Sequence, residues 1–383
     1  MLTTFLRIPW TIFLISAAIT VLGLAGLLHA DQLYGQSRLF ERQLLWTGLS
    51  WIAMFLMLRI PYRAIRQFSF WFYAGCVLLL AVVLCMPPIN GSRRWIPLGL
   101  LDFQPSEPAR LAYILALASC LMHREQHRTI RGLFVPLGLT LVPLLLVLKE
   151  PDLGTALLFL PVLYAMLFAA GARLRHLIAA GLIGLALLPV LWWQMSAEQR
   201  SRVVAVMTQR DGGPAPAGDG FHLHQSKQVL ALGGMTGSAW RDEPMIEDPA
   251  AWQLPAARTD FIFCVIGEKW GIPGCGLLLL LYLALMLRGL QAARATREPF
   301  GRLVAVGIVT MVGTQAVINS GMTVGLMPIT GITLPLCSYG GSSLLSTCVA
   351  VGLLMNIAMR PGYEVTGEPF AFSSRPDRRP GFP

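Results

Sequence analysis

Charge is scarce in this chain. Asp, Glu, Lys and Arg together make up 13% of its 383 residues, against about 25% in an ordinary soluble domain. With 55% hydrophobic residues and a mean hydropathy of +0.61, too little polar surface exists to cover a water-soluble fold of this size. The sequence also lacks several signatures of soluble catalysis: no Walker-type phosphate loop, no His-Glu-x-x-His pair and no Gly-x-Ser-x-Gly elbow. No Cys-x-x-Cys pair is present. The seven cysteines fall almost entirely in apolar runs, so they read as small buried hydrophobes rather than a disulfide framework or zinc site. His222 and His224 read as loop histidines. The first apolar run is long and has no small-residue cleavage site, so it reads as a membrane helix and not as a removable signal.

What the chain has instead is apolar length. About 20 apolar residues cross roughly 30 Å of hydrocarbon, and such segments recur near residues 9–28, 44–60, 68–86, 107–122, 133–149, 153–170, 176–194, 261–287, 303–322 and 341–359. The expected fold is all-α: a polytopic transmembrane bundle of about ten helices, one domain over 1–360 with a long extracytoplasmic loop at 195–259. In that loop, 197–207 reads as an amphipathic surface helix and 222–232 as a second helical stretch. The Gly- and Pro-rich run 212–220 reads as a connector. The Pro- and Arg-rich tail, 361–383, reads as a disordered cytoplasmic end.

The net charge of +10 raises the question of a polyanionic partner. Its distribution answers that question. Arg59, Arg63 and Arg66, then Arg124, Arg128 and Arg131, then Arg173 and Arg175, then Arg288, Arg294, Arg297 and Arg302 follow the even-numbered helices. The intervening loops carry little cationic excess. This is the positive-inside pattern of a multi-pass protein of the cytoplasmic (inner) membrane with both termini in the cytoplasm, and it implies no nucleic acid.

Ionisable groups near a span are costly, so each needs a reason. Glu107 and Arg110 open helix four on one face, Asp152 opens helix six, and Asp260 opens helix eight. Under this topology all four gather on the outer side, where they can line one polar cavity. The competing reading is that acids at helix N-termini complement the macrodipole, with Ser106 as an N-cap. Glu268 is expected two turns deeper than Asp260, about 12 Å along the axis. The uncharged run 325–341, with Pro328, Pro335 and several glycines, must bury its irregular backbone in protein, and reads as a re-entrant loop.

These residues fall within recognisable motifs: NGSRRWI at 90–96, FQPSEPAR at 103–110, PDLGTAL at 151–157, HQSKQVLALGG at 224–234, TDFIFCVIGE at 259–268 and NSGMTVGLMPITGITLPLCSYGGSSLL at 319–345. In this order they resemble the SEDS family (shape, elongation, division and sporulation), on its elongation-type branch. The resemblance implies a peptidoglycan glycosyltransferase that polymerises lipid II at the outer face of the membrane and releases undecaprenyl diphosphate. It places the essential aspartate at Asp260 and the substrate-binding surface at Trp95, Arg94, Glu107, Arg110, Asp152, Gln225, Ser226, Ser338, Tyr339 and Ser342. Asp260 is to act as a general base or to hold a divalent cation, Mg2+ or Mn2+, the one cofactor in view. Arg110 or Arg94 is to meet the diphosphate, with Glu107 positioning Arg110 and Trp95 stacking on a sugar. Two positions depart from the family pattern: Arg110 stands where Lys is usual and Glu150 where Gln is usual. The implied partners are a class B penicillin-binding protein, acting as transpeptidase, and other membrane proteins of the elongation complex. The alternatives are a lipid II flippase or transporter, and a division-type paralogue.

Overall fold

In a computed structural model, residues 8–35, 37–87, 93–97, 102–122, 131–209, 219–240, 254 and 256–362 are described. Among them the chain forms twelve α-helices: α1 Trp10–Tyr34, α2 Leu39–Met57, α3 Tyr62–Val83, α4 Ser106–Leu121, α5 Phe134–Lys149, α6 Leu153–Ala169, α7 Leu174–Gln194, α8 Ala197–Met207, α9 Asp219–Gly233, α10 Ile262–Ala295, α11 Pro299–Thr323 and α12 Gly341–Met359. The only ladder among the described residues is a two-residue antiparallel pair, Ile96–Pro97 with Asp102–Phe103. Each of the ten apolar segments coincides with one helix, while α8 and α9 occupy the 195–259 loop. Five helices, α1, α3, α10, α11 and α12, are long and apolar enough to cross a membrane. The protein is a multi-pass membrane protein. The residues assigned to the disordered tail, from 363 onward, lie outside the described set.

The helices sort by how their sequences distribute polarity. α4 is apolar beyond its first turns and is buried along its length except at Pro108, as expected for a helix at the centre of a bundle. α2 and α12 run side by side, and Asn356 Nδ2 donates to the carbonyls of Met57 and Ile60 at 2.5 and 2.7 Å. α7 makes its main contact with α6 and exposes Leu174, Ile178, Leu182, Ile183 and Leu185. Lipid supplies the missing neighbours. Internal Pro143, Pro161 and Pro189 are tolerated because adjoining groups in a bundle can satisfy the carbonyls they free.

The connections gather as the charge pattern requires. Arg258 reaches Asp31 and the Gly35 carbonyl, Arg94 reaches the Glu150 carbonyl, and Ser226 reaches the Thr323 carbonyl. The odd-numbered loops therefore share one end of the bundle. At the other end, Arg360 donates to the Leu58 carbonyl and the Arg297 amide donates to that of Pro361.

The eighth segment departs from its expected course. α10 breaks at Gly271, whose φ of 63° and ψ of −155° suit a residue without a β-carbon. A straight helix would separate residues 263 and 275 by about 18 Å, yet Cys275 Sγ lies 4.0 Å from the Phe263 carbonyl. The chain therefore reverses, with 262–270 as a short first arm and 272–295 as the spanning arm. The first arm runs in the same direction as α1: Ile262 and Ile266 pack on Gly26, and Glu268 meets His29. Glu268 thus lies towards the loop-rich end. The expected inward path from Asp260 to Glu268 is overturned, because the break at Gly271 comes before the span rather than after it.

The uncharged loop between α11 and α12 does enter the bundle. Leu334, Leu336, Cys337 and Ser338 are buried, and Cys337 packs its backbone against Gly23 midway along α1. Its polar backbone is met by side chains. Gln43 donates to the Ser338 carbonyl at 3.1 Å and accepts from the Gly340 amide at 3.2 Å. Gln315 donates to the Thr333 carbonyl at 3.0 Å, and Tyr282 donates to that of Pro335.

Candidate active site

Asp260 sits in the turn that leads into the first arm of α10. Asn319 fixes this turn by donating both to the Asp260 carbonyl, at 2.8 Å, and to that of Ile332, at 2.7 Å. One buried amide thus ties the aspartate to the re-entrant loop. Opposite the carboxylate stands Gly331, with φ of 72°, where an added β-carbon would lie 3.7 Å from Asp260 Oδ2. Burial pushes the Asp260 carboxyl up to about 6; the Thr259 side chain opposes this, the Asp152 charge adds to it, and Arg202 and Arg94 oppose it. These charges come from α8, the 93–97 segment and the α5–α6 turn, so three stretches distant in sequence act electrostatically on one carboxylate.

Asp152 caps α6. Its carboxylate accepts from the Thr155 amide at 3.0 Å and from the Thr155 hydroxyl at 2.9 Å, so the helix-capping reading applies to it whatever else it does. Arg94 lies 3.9 Å from Asp152 and donates to the Glu150 and Pro151 carbonyls. It is thereby held beside the acids while remaining partly exposed. Gly154 lets α6 approach the loop closely: a β-carbon there would lie 2.6 Å from Ile332 Cγ1 and 2.7 Å from the Thr330 carbonyl oxygen. Glu150 is fully buried, and neither carboxyl oxygen has a hydrogen-bond partner among the described residues. Burial and the Asp152 charge push it up to about 8, against the opposing charge of Arg94. At neutral pH it is therefore largely uncharged.

Glu107 and Arg110 form an ion pair and are 6% and 4% exposed. Arg110 also donates to Gln315 Oε1 at 3.2 Å, which in turn holds Thr333 in the re-entrant loop. The expected positioning of Arg110 by Glu107 fits this geometry. An open cationic surface at Arg110 does not, and Arg94 is the more accessible guanidinium. Ser106 is the first helical residue rather than the cap, and its buried hydroxyl has no partner among the described residues.

The remaining candidates are dispersed. Trp95 is half-buried beside Arg94. Ser226 is buried and donates to the Leu223 and Thr323 carbonyls, so it joins α9 to the end of α11. Gln225 is buried with an unpartnered oxygen. The Ser338 hydroxyl accepts from the Leu334 amide at 2.9 Å, and Ser342 is buried at the start of α12. The Tyr339 amide donates to the Arg258 carbonyl at 3.0 Å, two residues before Asp260. Sequence reading passed over Arg258, Gln315, Arg202 and the pinning role of Asn319. For Gln315 and Asn319 the available signal was a polar residue inside the apolar helix α11, since burying it requires a partner.

Among the described residues no group of three or more His, Cys, Asp or Glu side chains is placed to hold a metal. Any cation here would therefore draw most of its ligands from substrate oxygens and water, as Mg2+ commonly does.

Comparison with known proteins agrees with this geometry. Residues 5–362 match the family described as cell cycle protein and named for FtsW, RodA and SpoVE. Stage V sporulation protein E of Bacillus subtilis is 37% identical over 361 residues, covering 92% of this chain and 96% of that protein. The peptidoglycan glycosyltransferase MrdB of Escherichia coli is 33% identical over 321 residues, covering 83% and 85%. Among solved structures, the rod shape determining protein RodA of Thermus thermophilus superposes with a TM-score of 0.69 at 31% identity, over 93% of this chain and 98% of that one. A chain from a peptidoglycan synthase complex that coordinates polymerization and crosslinking gives 0.77 at 35% identity, over 92% and 97%. With matches over nearly its whole length to several of the members for which the group is named, the chain belongs to the SEDS family, the FtsW, RodA and SpoVE group of polytopic membrane proteins.

Proposed function

We propose that the protein is a peptidoglycan glycosyltransferase that polymerises lipid II at the outer face of the inner membrane, serving cell elongation and rod shape. The observation that carries this reading is the setting of Asp260: Asn319 ties its backbone to the re-entrant loop, its carboxylate faces Gly331 of that loop, and desolvation pushes the carboxyl up to about 6. A general base works best when its pKa lies close to the operating pH. The Asp260 carboxylate takes the proton of the acceptor sugar hydroxyl as the oxygen attacks the donor's anomeric carbon. The bond from that carbon to the diphosphate breaks, and undecaprenyl diphosphate departs with the electron pair. Arg94 opposes the developing charge on the diphosphate, and Trp95 offers a face for a sugar ring. In the alternative role Asp260 would hold a divalent cation, Mg2+ or Mn2+, which would help neutralise the diphosphate in place of the proton transfer. The prenyl tails stay in lipid while the head groups react at the loop-rich end.

The transporter reading requires charged groups along the bilayer path. Glu268 and Lys269 were the candidates for its inner half, and the reversal at Gly271 turns them back to the loop-rich end. The elongation role and the class B penicillin-binding protein partner are supported by resemblance to RodA and to the synthase complex. The test is glycan-strand formation from purified lipid II by the purified protein, alone and with that transpeptidase. Wild-type protein yields strands, and Asp260→Asn lowers the rate by about 100-fold or more with unchanged folding. Normal polymerisation by Asp260→Asn refutes the assignment; transbilayer movement of lipid II without polymer favours the flippase.

A further inference from the structure

The two ends of the segment that carries Asp260 are tied to one place. On one side Arg258 Nε donates to Asp31 Oδ1 at 2.8 Å, and its Nη2 donates to the Gly35 carbonyl at 2.7 Å. On the other side Glu268 Oε2 lies 2.5 Å from His29 Nε2. Asp31 and His29 both belong to the final turns of α1, two residues apart. Between these ties, Ile262 and Ile266 press on Gly26 of the same helix, with Ile266 Cγ1 3.0 Å from the place a β-carbon would take. Neither tie touches the Asp260 carboxylate.

We infer that the C-terminal end of α1 is a positioning device for Asp260, acting through His29–Glu268 on one side and Asp31–Arg258 on the other. An apolar span does not need His29 or Asp31 to cross lipid, and a polar group buried in the bundle is costly without a partner. Glu268 is 1% exposed and His29 12%, so removing His29 leaves a buried carboxylate without its partner. Gln32 Oε1 stands 3.4 Å from His29 Nδ1, so both ring nitrogens face oxygen and the imidazole is held in one orientation. Asp31 is likewise oriented by the Ser37 hydroxyl at 2.7 Å. The first arm of α10 ends at the Gly271 reversal, so it cannot be braced by continuing into the span. α1 gives it a rigid backing. A displacement of the nucleophile-activating group by about 1 Å can cost roughly 100-fold in rate, which is the sensitivity such a brace would protect.

The inference rests on the glycosyltransferase reading, so the test begins with wild-type protein and lipid II. His29→Ala and Glu268→Ala are each expected to lower kcat by about 10- to 100-fold, with KM for lipid II within about twofold of wild type. The double variant should be no worse than either single one, because both remove the same tie. Exchange of the other pair, Asp31→Arg with Arg258→Asp, should recover activity lost in Arg258→Asp alone. If the alanine variants fail to fold, the exchange His29→Glu with Glu268→His replaces them: activity recovered relative to Glu268→His alone supports the brace. No recovery in the exchanged variant, unchanged kcat in the alanine variants, or a rise in KM alone overturns it. No polymer from wild-type protein refutes the enzyme reading instead, which separates the two failures.

Discussion

At the scale of single residues, the chemistry rests on where burial is allowed to shift a proton. Asp260 is raised to about 6 chiefly by burial, so it is protonated in mild acid and ionised at neutral pH. As a general base it needs the ionised form. The polymerisation rate should therefore climb between pH 5 and 7 with a midpoint near 6 and then level, read as initial rates of strand formation. In Asp260→Glu the midpoint should move while the shape persists. A midpoint that stays fixed would place the titration elsewhere. That Asp260, Glu107 and Asp152 lie together at one end of the bundle was legible in the sequence, because acids beside membrane spans are conspicuous. The burial of Arg110 was not. Its partner Gln315 lies 205 residues away, and nothing local announces that distance.

At the scale of elements, the site depends on how closely α6, α11 and the re-entrant loop meet. Gly154 permits the contact of α6 with Thr330 and Ile332. Gly154→Val forces those groups apart and should destabilise the protein by about 1–3 kcal/mol, the usual cost of overpacking. It should also lower activity more than binding, since the displaced loop carries Gly331 beside Asp260. Thermal unfolding and a comparison of kcat with KM would show this; a variant with wild-type Tm and kcat would remove the contact from the argument. The apolar segments were readable because length and hydropathy are local properties. The reversal in α10 was less so. The run Gly-Ile-Pro-Gly at 271–274 was its signal, but uninterrupted hydropathy on either side made one span the simpler expectation.

For the whole molecule, the loops carrying Asp31, Arg94, Asp152, Asp260 and Tyr339 share an end, and the arginine-rich connections share the opposite one. The positive-inside rule assigns the first end to the outside. With Cys85→Ser as background, a membrane-impermeant maleimide applied to intact cells should label Trp240→Cys, which is exposed at the loop-rich end. It should not label Arg288→Cys until the cells are opened. The reverse pattern would invert the topology and remove the site from the outer face.

The reversal at Gly271 also bears on the order in which the molecule can be assembled. The reversal and the arm before it are joined to α9 and the turn after it by main-chain contacts: the Ile272 amide donates to the Gly234 carbonyl at 3.2 Å, a β-carbon at Gly271 would lie 2.7 Å from the Gly237 nitrogen, and Gly233 packs on the Gly267 carbonyl. These partners are only some 35 to 40 residues apart, so they can find one another soon after synthesis. The seat on α1 is different, since His29 and Glu268 are 239 residues apart. Closing so long a loop costs more entropy and comes later. The aspartate-bearing unit can thus form before it docks, and the enzyme becomes competent only when nearly all its helices are in place. An unfinished chain would be inserted, anchored and catalytically silent.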